Sequence, residues 1–327
     1  MDEPLVLACD LGGTKTLAGL FTHQGRLLAA EKHLIGARAA PVAVLDDLAG
    51  LLDKLLAASG RRRDDVTAVG LGSPGVPHAA SGVIAMTHNL GWRDVDLSRL
   101  AAQRLGLPVA LEMDANAAAL GEFWQGAGRG LEHFLFVIVG TGVGAGIVLN
   151  GRIVHGAHRV AGELGHTVIL PGGPLCGCGK HGCLEALASG LALSRRAEAA
   201  VKLGRATALS QCAAGITGQQ VTDAAQAGDA VAREIIAESA FYLGIGLANV
   251  ITLLDPQAVI IGGGVGAGAF ELLQAPLNQS VQQHLNYWAA RSIPIRPSAL
   301  GEYAGLYGAA WAALNIDLYP DSNEVKK

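Results

Sequence analysis

The run Asp10-Leu11-Gly12-Gly13-Thr14-Lys15-Thr16 gathers a carboxylate, two glycines, a hydroxyl and an ammonium directly after a strand-like apolar stretch. Glycines turn a chain tightly and present backbone N–H groups to an anion with no Cβ in the way. Gly12 and Gly13 would form the cradle, Thr14 would add a donor and Lys15 a charge. Asp10 suits Mg²⁺ held through water, because magnesium keeps part of its hydration shell. The same residues also fit an ordinary hairpin turn. Gly140-Thr141-Gly142-Val143-Gly144-Ala145-Gly146 is a second candidate cradle. It is not a Walker A loop, since no Gly-Lys-Ser/Thr follows, and a strand rather than a helix comes next, against the dinucleotide fingerprint. Neither turn is specific alone, but two of them, each opening an α/β half, could grip a nucleotide's phosphates from both sides.

Asp114-Ala115-Asn116 stands at the end of a strand-like run, Pro108–Met113, where α/β sheets place their ligands. A carboxylate there can take the proton from a hydroxyl that attacks a γ-phosphate. It can equally cap the helix predicted over Ala115–Trp124. Further on, Gly162-Glu163-Leu164-Gly165-His166 precedes Cys176-Gly177-Cys178-Gly179-Lys180-His181-Gly182-Cys183-Leu184-Glu185. Thiols spaced C-x-C-x₄-C with a histidine upstream suit a tetrahedral Cys₃His zinc site; free thiols are the other reading. His181, inside the loop, competes with His166 as the fourth ligand. Four protein ligands leave no open position, so such a metal is structural, and it would hold Glu163 and Glu185 in place. Cys9 and Cys212 read as ordinary thiols.

These groups need elements to carry them. Leu5–Asp10 and Thr16–Thr22 read as strands around the first turn, with Arg26–His33 as a third. Pro41–Ser59 has apolar residues at helical spacing. Val66–Leu71 reads as a buried strand, Leu97–Leu105 as a helix, and Phe134–Val139 with Ala145–Leu149 as strands around the second turn. Helices follow over Glu185–Lys202 and Ala230–Ile251, then a strand, Ala258–Ile261, entering Gly262-Gly263-Gly264, and a last helix, Glu302–Asn315. The strand–turn–strand unit thus occurs twice, which predicts two domains. Residues 1–114 with 301–327 form the smaller α/β domain in this reading, and 115–300 the larger one with the cysteine loop.

Half of the 327 residues are hydrophobic and 16% are charged, against roughly 25% charged in an average globular protein. That composition favours a large core. Glycine is abundant, 45 residues, which points to tight turns or close backbone approach to a ligand. A net charge of −4 argues against nucleic acid as a partner. The uncharged stretch Phe134–Asn150 is interrupted by the second glycine turn, so it reads as a hairpin and not a membrane span. The N-terminus lacks the basic region of a signal peptide, and the five cysteines are an odd count. Both features fit a cytoplasmic chain with metal or free thiols.

Taken together and in this order, the motifs resemble the ROK family of bacterial sugar kinases and repressors. The similarity runs from Leu5 to about Leu314, through Asp10–Thr16, Gly72–Pro77, Asn89-Leu90-Gly91-Trp92, Asp114–Glu122, Gly140–Gly146, Gly162–His166, Cys176–Glu185 and Gly262–Val265. The cysteine signature is the most specific part. The resemblance implies a two-domain actin/hexokinase-like (ribonuclease H-like) ATPase fold of α/β class with an interdomain cleft. It implies ATP, Mg²⁺ and structural Zn²⁺ as cofactors, and a homodimer. It implies that Asp114 is the base on a hexose 6-hydroxyl. Gly12, Thr14, Lys15, Thr141 and Gly142 would meet the ATP phosphates, and Gly262, Gly263 and Gly264 the adenosine. Asn89, Glu163, His166 and Glu185 would hold sugar hydroxyls. By the same analogy His166, Cys176, Cys178 and Cys183 are the zinc ligands.

The segments 89–92 and 162–185 are most similar to the glucokinase branch, so glucose is the expected substrate; N-acetylglucosamine, N-acetylmannosamine and fructose are the alternatives. A repressor of the family would carry a further DNA-binding domain, for which a phosphate turn at residue 10 leaves no room. A sugar sensor without catalysis is the remaining alternative. The sequence departs from the family at Met113, where an asparagine that binds sugar usually precedes the aspartate. A thioether donates no hydrogen bond, so one sugar hydroxyl is expected to lose a partner, at a cost of about 1–3 kcal/mol.

Overall fold

A computed structural model describes residues 3–13, 15–36, 39–78, 82–87, 90–212, 215–286 and 292–319. The chain divides into two compact units, Met1–Arg129 with Ile153–Ala161 and Tyr303–Lys327, and Gly130–Arg152 with Gly162–Glu302. The class is α/β, as expected.

In the first unit, strands β1 (Leu5–Leu11), β2 (Lys15–Thr22) and β3 (Leu27–Leu34) make an antiparallel meander. Helix α1 (Pro41–Ser59) starts with proline at its first position and stops at Gly60, whose left-handed backbone (φ 65°) returns its N–H to the last turn. Strand β4 (Val66–Ser73) joins β1 in parallel. Three short strands, β5 (Val76–Pro77), β6 (Val83–Met86) and β7 (Arg93–Asp96), form a separate small antiparallel sheet that the sequence pattern does not predict. Helix α2 (Leu97–Leu105) follows, its first turn capped by the Asp96 carboxylate. Strand β8 (Val109–Met113) completes the main sheet in the order β3-β2-β1-β4-β8 and passes directly into helix α3 (Asp114–Gln125).

The inner strands are apolar on both sides because both faces are covered. Leu45, Leu48 and Leu52 of α1 and Leu97 and Ala101 of α2 fill one side against Leu5, Leu7, Cys9 and Leu71. On the other side Leu306, Ala309 and Ala313 cover Val6, Ala8 and Phe21. Those three residues lie on the last helix, whose small residues Ala304 and Gly308 let its backbone meet that of α3 at Gly121 and Ala117. This packing carries α3 with the first unit, which therefore runs past the boundary expected at residues 114 and 115 and also takes in segment 153–161.

The second unit opens with the hairpin β9 (Phe134–Val139) and β10 (Val143–Leu149), so the uncharged stretch is two paired strands as predicted. After the short β11 (Arg152–Ile153) come helices α4 (Leu184–Ala188), α5 (Gly190–Lys202), α6 (Gly218–Gln226) and α7 (Ala230–Leu254). The single helix expected over 185–202 is thus two. Ser189 between them is extended (φ −79°, ψ 168°), and its hydroxyl caps α5 by accepting from the Ala192 amide. Strand β12 (Ala258–Gly262), helices α8 (Gly264–Gly268) and α9 (Phe270–His284), and strand β13 (Ile295–Pro297) complete the sheet β11-β10-β9-β12-β13. The last helix, α10 (Ala304–Leu314), belongs to the first unit. Among the described residues α7 is the one helix long and apolar enough to cross a membrane. Its Leu243, Leu247 and Ile251 are instead buried in the core of this unit.

Candidate active site

Asp10, near the end of β1, and Asp114, directly after β8, stand at the same end of one sheet. β4 lies between β1 and β8, pairing Gly72 with Asp10 on one side and Ser73 with Met113 on the other. The Asp10 carboxylate lies against Gly72 and against Gly305 of α10. Burial, together with the negative charge of Asp114, raises its carboxyl from 3.8 to about 7, with Lys15 pulling the other way. Two crowded carboxylates with a hard-oxygen donor set fit a divalent cation, which would relieve both the burial and the repulsion. Gly12 closes the first turn by donating its N–H to the Lys15 carbonyl at 2.8 Å. Thr14 lies outside the described residues.

The N-cap of α3 is Met113, and Asp114 is the first helical residue, where its Oδ1 accepts from the Ala115 amide at 2.7 Å. Met113 is half-buried and packs against the apolar cluster beneath α1 and α2. Asn116 does not take the place of the missing asparagine: it is 3% exposed, and its Nδ2 donates to Glu112 at 3.1 Å. Asn89 lies outside the described residues; Leu90 and Trp92 next to it are buried, with the Trp92 indole donating to the Ala39 carbonyl at 2.8 Å.

In the second unit the Gly140–Gly142 turn is held by the segment that follows the last clustered cysteine. Glu185 Oε2 accepts from the Val143 amide at 3.1 Å, and the Gly190 amide donates to the Gly140 carbonyl at 2.8 Å. These two bonds explain the break between α4 and α5, because the chain must turn at Ser189 to reach the glycine turn twice. A side chain at 142 would run into the Glu185 carboxylate and displace it from its bond to Val143. Gly262 ends β12 beside β9, and Gly263 turns away with a φ of 86°.

His166, Cys176, Cys178 and Cys183 place their ligand atoms within 4.8 Å of one another. Cys178 Sγ to Cys183 Sγ and Cys176 Sγ to His166 Nδ1 are each 3.7 Å. A tetrahedron with metal–sulfur bonds near 2.3 Å has edges of roughly 3.8 Å, so the donors are spaced for zinc. Burial pushes the Cys176 thiol up to about 12 and raises Cys183 as well, whereas the Lys180 amide lowers Cys178. A metal would have to displace those protons. His181 is outside the cluster, exposed, with its ring on the Gly173 carbonyl. The His166 ring faces two ways: Nδ1 meets Cys176, and Nε2 lies 3.8 Å from the exposed Glu163 carboxylate. Cys9 is buried and apart from this group.

Sequence reasoning missed the buried carboxylate of Glu112, which is 1% exposed and bound by His155 at 2.7 Å. A charged residue inside an apolar strand next to Asp114 was the available signal. Its partner, 43 residues away, had none.

With this geometry in hand, the chain can be set beside known proteins. The ROK family profile matches residues 6–316. The glucokinase of Halalkalibacterium halodurans is 36% identical over 315 residues, 95% of each chain. A ROK hexokinase from Thermus thermophilus has a similar structure (TM-score 0.79, 38% identity, 96% of this chain and 99% of that one). So does a ROK family glucokinase from Streptomyces griseus in complex with glucose and AMPPNP (TM-score 0.78, 36% identity, 95% of this chain and 99% of that one).

Proposed function

The chain belongs to the ROK family, and from that premise we propose that it is an ATP-dependent hexokinase that phosphorylates the 6-hydroxyl of glucose. The observation that carries this reading is that Asp10 and Asp114 stand at the same end of one sheet, on either side of β4 and close enough for the charge of Asp114 to raise Asp10, beside a glycine turn that carries Lys15. Phosphoryl transfer asks the protein for positioning and charge neutralisation, plus a group to accept the hydroxyl proton. Asp114, as the first residue of α3, takes the last role. Asp10 holds Mg²⁺, which supplies positive charge for the phosphates when bound. Gly12, Gly13, Thr14, Lys15, Thr141 and Gly142 meet the phosphates, with Gly262, Gly263 and Gly264 beside the adenosine.

The sugar is held by Asn89, Glu163, His166 and Glu185. His166, Cys176, Cys178 and Cys183 hold a structural zinc ion. Its value lies in what it anchors, since Glu185 and the bond from Gly190 to the glycine turn follow directly after the last cysteine. His166 can serve zinc through Nδ1 while Nε2 turns to the sugar. The enzyme is read as a cytoplasmic homodimer, which analytical ultracentrifugation tests.

A coupled assay of ADP release across glucose, fructose, N-acetylglucosamine and N-acetylmannosamine tests the substrate. The highest kcat/KM should fall on glucose, and an acetamido sugar ahead of it by tenfold would reassign the pocket.

A further inference from the structure

Glu112 stands two positions before the proposed base, and its buried carboxylate has four partners. Oε1 accepts from the Met113 amide at 2.9 Å and from Asn116 Nδ2 at 3.1 Å. Oε2 accepts from His155 Nε2 at 2.7 Å and from the Tyr319 hydroxyl at 3.2 Å. The first oxygen thus straddles the strand-to-helix junction, touching the residue before Asp114 and a residue of the first turn after it. Met113 at that junction is extended (φ −72°, ψ 147°) and has no side-chain cap of its own. The second oxygen is held by two groups from elsewhere in the unit.

His155 lies on the segment 153–161, which joins the first unit between two stretches of the second. The segment closes on itself where the Ala161 amide donates to the His155 carbonyl at 3.1 Å, and Gly162 and Glu163 come next. Burial pushes the Glu112 carboxyl upward, but the hydrogen bond and charge of His155, with the Met113 and Asn116 donors, outweigh it and hold the group below its usual range. A buried ion pair is a poor route to stability, since well-packed apolar residues would serve as well or better. A carboxylate with all its lone pairs directed is suited instead to fixing one local geometry.

We propose that Glu112 and His155 are a positioning pair for Asp114: His155 pins segment 153–161 to the end of β8, and Glu112 fixes the Met113–Asn116 turn that aims the Asp114 carboxylate. The inference rests on Asp114 being the base. Removing the pin leaves the sugar and nucleotide contacts in place and misaims the base, so turnover falls while binding does not.

The test compares His155→Leu, His155→Gln, Tyr319→Phe and Asp114→Asn with the full-length protein, measuring kcat, both KM values and the melting temperature. His155→Leu should lower kcat about 10- to 100-fold, the scale expected of a catalytic group displaced by a fraction of an ångström to an ångström. Both KM values should stay within about threefold, as for an interaction made only in the transition state. His155→Gln, whose amide can donate from nearly the same place, should recover most of the loss. Tyr319→Phe, which removes one donor to the same carboxylate, should lower kcat by about fivefold, and it keeps the test open if the leucine variant does not fold. Wild-type kcat in His155→Leu or Tyr319→Phe beside an inactive Asp114→Asn overturns the pair and leaves the base. Equal losses in the leucine and glutamine variants with rising KM also overturn it. An active Asp114→Asn overturns both readings.

Discussion

Glu185 Oε2 accepts a hydrogen bond from the Val143 amide at 3.1 Å. The carboxylate assigned to a sugar hydroxyl is therefore also a strut of the second glycine turn, and the same side chain brings Oε1 within 3.7 Å of Cys176 Sγ. The proposed sugar ligand, the second glycine turn and the cysteine cluster thus meet at one residue.

Glu185→Ala should therefore raise KM for glucose and KM for ATP together, each by about 5- to 30-fold, the worth of one charge-assisted hydrogen bond. Steady-state kinetics in both substrates checks it. A rise confined to glucose would mean that the bond to Val143 does not matter to the nucleotide.

Asp114→Ala should cut kcat by about 10²–10⁴, the usual contribution of a positioned acid or base. Glucose binding followed by calorimetry should survive, because the proposed sugar ligands Glu163, His166 and Glu185 are elsewhere in the chain. Near-normal turnover would remove Asp114 as the base.

Asp10 gives a pH dependence with a definite sign. Its carboxyl is raised from 3.8 to about 7 in the folded protein. Without a cation, its contribution to stability is fully present below about pH 4 and is lost as the pH rises through about 7. Mg²⁺ should offset that loss where the group is ionised. The rise in melting temperature on adding Mg²⁺ should be larger at pH 8 than at pH 6, and Asp10→Asn should abolish the difference. An equal rise at both pH values would place the ion elsewhere.

The cysteine cluster predicts one zinc ion per chain by elemental analysis. Cys176→Ser should lower the zinc content and drop the melting temperature by about 10 °C or more, since a structural site contributes several kcal/mol. A metal-free protein of unchanged stability would contradict the assignment.

Much of this architecture is legible in the residues. The hairpins around Gly12 and Gly142 can be read because apolar strand runs end at glycines, and α1 because Pro41 and Gly60 mark its ends. Asp114 is legible through its place after an apolar strand. What stays hidden depends on contacts far apart in the chain. At Ser189-Gly190 the local signal is only a capping serine followed by glycine inside an alanine-rich helical pattern, and the bond from Gly190 to Gly140 fixes the break. Helix α9 continues through Pro276, where proline usually ends a helix. Segment 153–161 joins the first unit through His155 and Glu112, and neither a strand nor a helix pattern announces it. His166 and His181 are equivalent by spacing, and only the folded loop brings the former to the cysteines.

Met113 packs against apolar residues, and Asn116 is engaged by Glu112. Met113→Asn should thus tighten hexose binding by about 1–3 kcal/mol if a hydroxyl lacks its partner, measured as a lower KM for glucose at unchanged kcat. An unchanged KM would show that another residue already serves that hydroxyl.

The central claim is transfer of the ATP γ-phosphate to the 6-hydroxyl of glucose. Its most direct test is nuclear magnetic resonance of the products after incubation with ¹³C-glucose, ATP and Mg²⁺. Glucose 6-phosphate and ADP should form in equal amounts, with phosphorus coupling at C6. ADP without a phosphorylated sugar, or phosphate on any other carbon, would contradict the account.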